Sequence, residues 1–258
     1  KLLAGASRGL LRYATAARPV SKSSLVGRLE SSRAFGWVSA DLAEVSTVRH
    51  ALGGSINDVV LAMVTRAFRD TLIARGEWPG PHSLRSLVPV SVRLPGDRSG
   101  ADNRISALLA DLPVHLERSS DAYRSIVEQT QQLKSSHEAV AGELIGELAD
   151  LLPPRLTASA LRAAFRVPQR FITTVTTNVP GPRWPLYLLG RRMTAIYPYV
   201  PLADRLRVGI AVTSYDGGLY FGITSDRDSV PNLDTFKEGL LTGLQDLLSE
   251  AENARASI

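Results

Sequence analysis

Leu206-Arg-Val-Gly-Ile-Ala-Val-Thr-Ser-Tyr215, Asp216-Gly217-Gly218 and Leu219-Tyr-Phe-Gly-Ile-Thr-Ser225 form one stretch whose reading decides the fold. Two runs rich in β-branched and aromatic residues flank a Gly-Gly turn, which predicts an antiparallel β-hairpin. Working outward, Leu233, Phe236, Leu240, Leu244, Leu247 and Leu248 recur on one side of a helix predicted to start near Asn232. Upstream, strands are predicted over Phe171–Thr177 and Met193–Tyr199, and helical patterns over 119–166 broken at Pro153-Pro154. Leu84–Val92 and Ile105–Val114 read as buried strands around the turn-rich segment Pro95–Gly100. Ile56, Val59, Val60, Met63, Val64, Ala67, Phe68 and Leu72 mark a long helix, stopped by Gly76 and Pro79. A strand over Ala34–Leu42 and a short helix precede it. Helices and strands alternate, yet the late hairpin is antiparallel. The fold class is therefore α/β, a mixed sheet flanked by helices.

The chain has 258 residues, with 44% hydrophobic and 21% charged residues, which suits a globular domain with a sizeable core. A net charge of +5 permits an anionic partner without demanding one. Many of the basic residues are arginines scattered singly, with no dense Lys/Arg block or basic–aromatic stripe, so no nucleic-acid partner is expected. There is no cysteine, and the four histidines (His50, His82, His115 and His137) are widely spaced, so no metal site is expected. No run approaches the ~18 apolar residues of a membrane span. Arg8, Arg12 and Arg18 interrupt the apolar run that a signal peptide would need. Leu2, Leu3, Ala6, Leu10, Tyr13 and Ala17 fall near helical spacing, either as a docked terminal helix or as a basic amphipathic helix on a membrane surface. Residues 18–32 read as linker, which divides the chain into 1–32 and a domain over 33–258. There is no internal repeat.

No phosphate loop or dinucleotide fingerprint is present. Gly53-Gly-Ser55-Ile-Asn57 begins like a nucleophile elbow but lacks the closing glycine. A hydrolase using Ser55 is a third-ranked reading, since Ser55 with Asp58 three positions on also forms a capping-box pattern. Spacing alone stops at an α/β domain.

The residues themselves go further. Ser55-Ile-Asn57-Asp58-Val-Val-Leu-Ala, Leu87-Val-Pro-Val-Ser-Val-Arg93, Asn103-Arg-Ile-Ser106 and Thr176-Thr-Asn178-Val-Pro-Gly-Pro182 occur in that order. With Ile196-Tyr-Pro-Tyr-Val-Pro201 and Ser214-Tyr-Asp-Gly217, they resemble the C-terminal half of the bacterial wax ester synthase/diacylglycerol acyltransferase family. The similarity runs from about residue 33 to 250. It implies one half of a CoA-dependent acyltransferase (chloramphenicol acetyltransferase-like) fold, in which two α/β halves face one another across a tunnel. It further implies transfer of a long-chain acyl group from acyl-CoA, a co-substrate and not a resident cofactor, to diacylglycerol or a long-chain alcohol. The family's general base lies in a His-His-x-x-x-Asp-Gly motif of the N-terminal half, and no His-His pair occurs in this chain. The expectation is a partner half bearing that motif, cleaved or linked. The alternative is a non-catalytic acyl/CoA-binding module.

The resemblance nominates Asn57, Thr177 and Asn178 for supporting or oxyanion roles. Local chemistry offers other readings: Asp58 caps the helix and suits its positive end, and Asn178 satisfies a Pro-Gly turn. Thr176, Thr177 and Asn178 end a predicted strand, a place where donors are commonly presented. Arg183, Arg191 and Arg192 could meet CoA phosphates or remain solvated surface arginines. His50, seven residues before Asn57, is not expected to be the base. Lipid acceptors imply a cytoplasmic protein held peripherally at a membrane or lipid-droplet surface.

Overall fold

The computed structural model describes residues 20, 23–91, 105–135 and 172–256. The N-terminal helix, the Pro95–Gly100 turn, Asn103-Arg104, the Pro153-Pro154 break, His137 and Phe171 lie outside the described residues.

Among the described residues the sheet strands are β1 (Arg33–Asp41), β2 (Arg85–Ser91), β3 (Ile105–Asp111), β4 (Thr174–Pro180), β7 (Val208–Tyr215) and β8 (Gly218–Asp226). A separate small ribbon pairs β5 (Tyr187–Leu188) with β6 (Arg191–Arg192). The helices are α1 (Leu42–Leu52), α2 (Ile56–Ala74), α3 (Ser119–Ser135) and α4 (Asp234–Ala256). The sheet order is β1-β8-β7-β4-β2-β3. β4 lies parallel to both β7 and β2, while the pairs at either side are antiparallel. The sheet is mixed.

Register divides each strand between two faces, because successive side chains alternate. Val38, Phe221, Val212 and Asn178 form one row across four strands, and Trp37, Gly222, Ala211 and Thr177 form the next. The first row belongs to the helix side, where Val212 and Phe221 join the core with Val59, Met63, Phe68 and Leu240. The second row lies on the opposite face, which is helix-free among the described residues.

α2 is buried along nearly its whole middle, from Asp58 to Thr65, because it is packed by the other helices as well as by the core. Its start is fixed by a capping box: the Ser55 hydroxyl accepts from Asp58 N–H, and the Asp58 carboxylate accepts from Ser55 N–H at 2.7 Å. Its end is a Schellman turn, with Gly76 at φ +74° and Glu77 N–H donating to Leu72 C=O at 2.9 Å. α4 approaches α2 at Gly239 and Gly243, where a Cβ would crowd Ala67, Met63 and Arg66. Phe68 meets Phe236 edge-on at 4.9 Å.

Residues 23–30 are tied into the domain. Leu25 is fully buried in the core, Val26 bridges Leu206, and Glu30 N–H donates to Asp226 at 2.9 Å.

The strand predicted over Met193–Tyr199 does not form. Pairing stops at Arg192, and the chain runs across the helix-free face, with the Pro198 carbonyl crowding Gly222. Pro198 and Pro201 lack the N–H that a ladder needs. The strand predicted to end at Thr177 instead continues to Pro180. Thr213 Oγ1 holds the Val179 carbonyl at 2.8 Å there, and Gly181 lets the backbone pass tightly against Ser214.

Candidate functional site

Asp58 is 2% exposed, and its carboxylate is fully engaged. Oδ2 accepts from Ser55 N–H and Oγ–H, and Oδ1 accepts from Thr130 Oγ1 on α3 at 2.8 Å. Tyr123, also on α3, donates its hydroxyl to the Gly53 carbonyl. Burial, and then the Asp58 charge, push the Tyr123 phenol up to about 12. Gly53 and Gly54 both have φ near +80°. A side chain on Gly54 would strike Tyr123 and Val127. Ser55 and Asp58 thus build the start of α2, and the Ser55 hydroxyl lies 2.6 Å from a carboxylate that receives its proton. Among the described residues, Ser55 bonds to Asp58 and to no histidine, the base that a hydrolase would need.

Asn57 is half-buried in the first turn of α2 and makes no side-chain hydrogen bond among the described residues. It belongs to the helix side of the sheet. Asn178 points to that side as well, in the row of Val212, while Thr177 points to the helix-free face opposite Ala211. The candidates are therefore not gathered on one face. Neither Thr177 nor Asn178 makes a side-chain hydrogen bond among the described residues, and both are half-buried. Their neighbours are engaged instead: Thr174 Oγ1 donates to Val208 C=O at 2.9 Å, and Thr176 Oγ1 accepts from Ser86 at 2.9 Å. Thr177 turns its hydroxyl, a possible donor, to the opposite face without a partner among the described residues.

That face is aromatic. Phe35 and Trp37 from β1 meet Tyr199 and Tyr197 at centroid distances of 6.0 Å, and Tyr220 meets Tyr197 edge-on at 5.4 Å. Trp37 remains 56% exposed and Tyr199 59% exposed.

Of the arginines, Arg183 and Arg191 are exposed. Arg192 is paired with Asp216 at 2.5 Å, and this hydrogen bond and charge raise its pKa above the ordinary arginine value. The Arg192 pair belongs to a mount that the sequence reading missed. The buried Tyr215 hydroxyl accepts from Leu186 N–H at 2.8 Å and donates to Met193 C=O at 2.9 Å, gripping both roots of the β5–β6 hairpin. Ser214-Tyr-Asp-Gly217 stood out as a motif, but only the folded chain shows what its hydroxyl and carboxylate hold. His50 is exposed on α1, against Ser46 and Arg49.

Among the described residues, no group of three or more His, Asp or Glu could hold a metal ion. Among them, no helix is long and apolar enough to cross a membrane.

A family model described as the WS/DGAT C-terminal domain matches residues 101–248. A probable diacyglycerol O-acyltransferase of Mycobacterium tuberculosis is 38% identical over 91% of this chain and 51% of its own length. The wax ester synthase/diacylglycerol acyltransferase of Marinobacter aquaeolei superposes with a TM-score of 0.72 at 26% identity, covering 96% of this chain and 56% of that one. The starter condensation domain of rhizomide synthetase, solved with C8-CoA, shares the fold at a TM-score of 0.51 and 14% identity, over 90% of this chain and 49% of that one. The chain spans about half the length of the relatives it matches.

Proposed function

From the premise that this chain belongs to the WS/DGAT C-terminal domain family, we propose that it is the C-terminal half of an acyl-CoA-dependent O-acyltransferase. The enzyme moves a long-chain acyl group to diacylglycerol or a long-chain alcohol, giving triacylglycerol or a wax ester. The observation that carries this reading is the family match over residues 101–248, seen in relatives about twice the length of this chain. The other half supplies the histidine of a His-His-x-x-x-Asp-Gly motif.

In this mechanism the histidine takes the proton of the acceptor hydroxyl as general base. The alkoxide attacks the thioester carbonyl, and the tetrahedral oxyanion collapses to an ester. CoA leaves as the thiolate and recovers the proton. Thr177 donates its hydroxyl to the oxyanion from the helix-free face. Asn178 is turned to the other face, and Asn57 lies in the first turn of α2 beside the Ser55–Asp58 capping box, so both take supporting roles away from the oxyanion. Arg183 and Arg191 are exposed cations available to CoA phosphates, whereas Arg192 is held by Asp216. Acceptors of this kind are met at a membrane or lipid-droplet surface, which suits peripheral association.

The test pairs this chain with the N-terminal half of the Mycobacterium tuberculosis relative and supplies long-chain acyl-CoA with diacylglycerol or a fatty alcohol. Acyl transfer is expected only with both halves present. Thr177→Val should then lower kcat by about 10²–10³-fold, the loss typical of one oxyanion donor. A pair that binds acyl-CoA but never transfers it would leave a non-catalytic binding module as the better description.

A further inference from the structure

β1 is an outer edge of the six-stranded sheet, since among the described residues it pairs only with β8. The direction of each backbone group follows from the ladder. Leu42 N–H donates to Gly217 C=O at 3.0 Å, and Arg227 N–H donates to Ser32 C=O at 3.2 Å. The even-numbered residues therefore bond to β8, and Arg33, Phe35, Trp37, Ser39 and Asp41 turn their N–H and C=O groups outward. All five are exposed, and in an extended strand their side chains share one face, the helix-free one. The edge carries none of the usual guards. Its nine residues pair with β8 without a bulge, and β1 contains neither proline nor lysine. Trp37, 56% exposed, stands at the middle. An open edge of this kind can take up one further strand.

We propose that β1 is a self-docking edge, to which a second copy of this chain adds its own β1, antiparallel about a two-fold axis at Trp37. The occupant follows from charge. β1 opens on Arg33 and closes on Asp41, so the antiparallel register centred on Trp37 sets Arg33 opposite Asp41 of the second copy at both ends. Phe35 then faces Ser39, and Trp37 faces its own copy. A parallel pairing in register would instead set Arg33 against Arg33 and Asp41 against Asp41. Both charged ends have capacity left. Asp41 Oδ1 accepts from Ala43 N–H at 2.7 Å, while its Oδ2 has no partner among the described residues. Arg33 uses only Nη1, on Glu30, Ser32 and Asp226. On the helix side the seam pairs Ala34 with Ala40 and Gly36 with Val38, small enough for the two strands to close. The assembly does not rest on the two-half reading above.

The experiment is sedimentation equilibrium of this chain over a range of concentrations, joined to a cross-linking map of the seam. Wild type should show a monomer–dimer equilibrium. Ser39→Pro removes one outward N–H and leaves the β8 ladder alone, so melting should stay near wild type while dimerisation weakens at least 10-fold. The map holds even if that variant folds poorly. The chain has no cysteine, so a single Trp37→Cys can be joined to its copy by a short bis-maleimide. In this register the two copies of residue 37 lie about 5.5 Å apart at Cα, and those of residue 33 about 27 Å apart. Trp37→Cys should therefore cross-link, and Arg33→Cys should not. A wild-type chain that stays monomeric at every concentration would overturn the proposal. So would a dimer that a folded Ser39→Pro leaves intact, or one that cross-links as well through residue 33 as through residue 37, since each means another interface. Adding the N-terminal half of the Mycobacterium tuberculosis relative should leave the Trp37→Cys cross-link in place. Its loss on that addition would overturn self-docking in favour of an edge covered by the other half.

Discussion

Asp58 accepts a hydrogen bond from Thr130 at 2.8 Å, across 72 residues of sequence, and so joins the start of α2 to the middle of α3. The same carboxylate closes the Ser55 capping box, so one side chain carries a local duty and a tertiary one. Asn57 stands next to it, and its placement depends on both.

Ser55→Ala should cost about 1 kcal/mol, the usual worth of a helix N-cap. Asp58→Ala should cost about 2–3 kcal/mol, because it also leaves the buried Thr130 hydroxyl without its acceptor. Urea denaturation of this chain separates the two. Equal losses would mean that the Thr130 bond contributes nothing.

Tyr123 should ionise near pH 12 in the folded protein, against an ordinary value of 10.0. Its folded pKa is raised, so its contribution to stability is fully present below pH 10 and lost as pH rises through the folded pKa. Ultraviolet difference titration of wild type against Tyr123→Phe reads this directly. A phenol titrating near 10 would show that burial and the Asp58 charge do not act on it.

Asp226 should make the fold acid-sensitive. Burial pushes its pKa up, but hydrogen bonds from Ser229 and from Glu30 N–H, with Arg33 nearby, outweigh that and hold it below 3.8. A depressed folded pKa gives stability that is present above the ordinary carboxylate value and lost as pH falls through the folded one. Asp226→Asn should therefore be clearly less stable than wild type at pH 7, with the gap narrowing below pH 4. A gap independent of pH would refute the assignment.

Gly222→Ala should destabilise by about 1–3 kcal/mol, the range for overpacking. Its Cβ would meet the backbone carbonyl of Pro198, which cannot swing aside as a side chain could. Thermal melting measures the loss. Near-neutral behaviour would mean that residues 193–200 lift readily from the sheet.

Sequence alone determined the β7–β8 hairpin, the full course of α2 with its Ser55–Asp58 start and Gly76 stop, and the family. Each of these rests on short-range periodicity, capping or turn chemistry, or on ordered motifs that need no coordinates. Tertiary structure alone decided that β4 lies parallel between β2 and β7, which turns Thr177 to the open face and Asn178 to the helices. It also replaced the strand expected over Met193–Tyr199 with a ribbon ending at Arg192, and gave Tyr215 a grip on Leu186 and Met193. Such outcomes depend on register between segments tens of residues apart. A one-residue shift in that register would exchange the two faces of β4, and no local pattern in the chain fixes it.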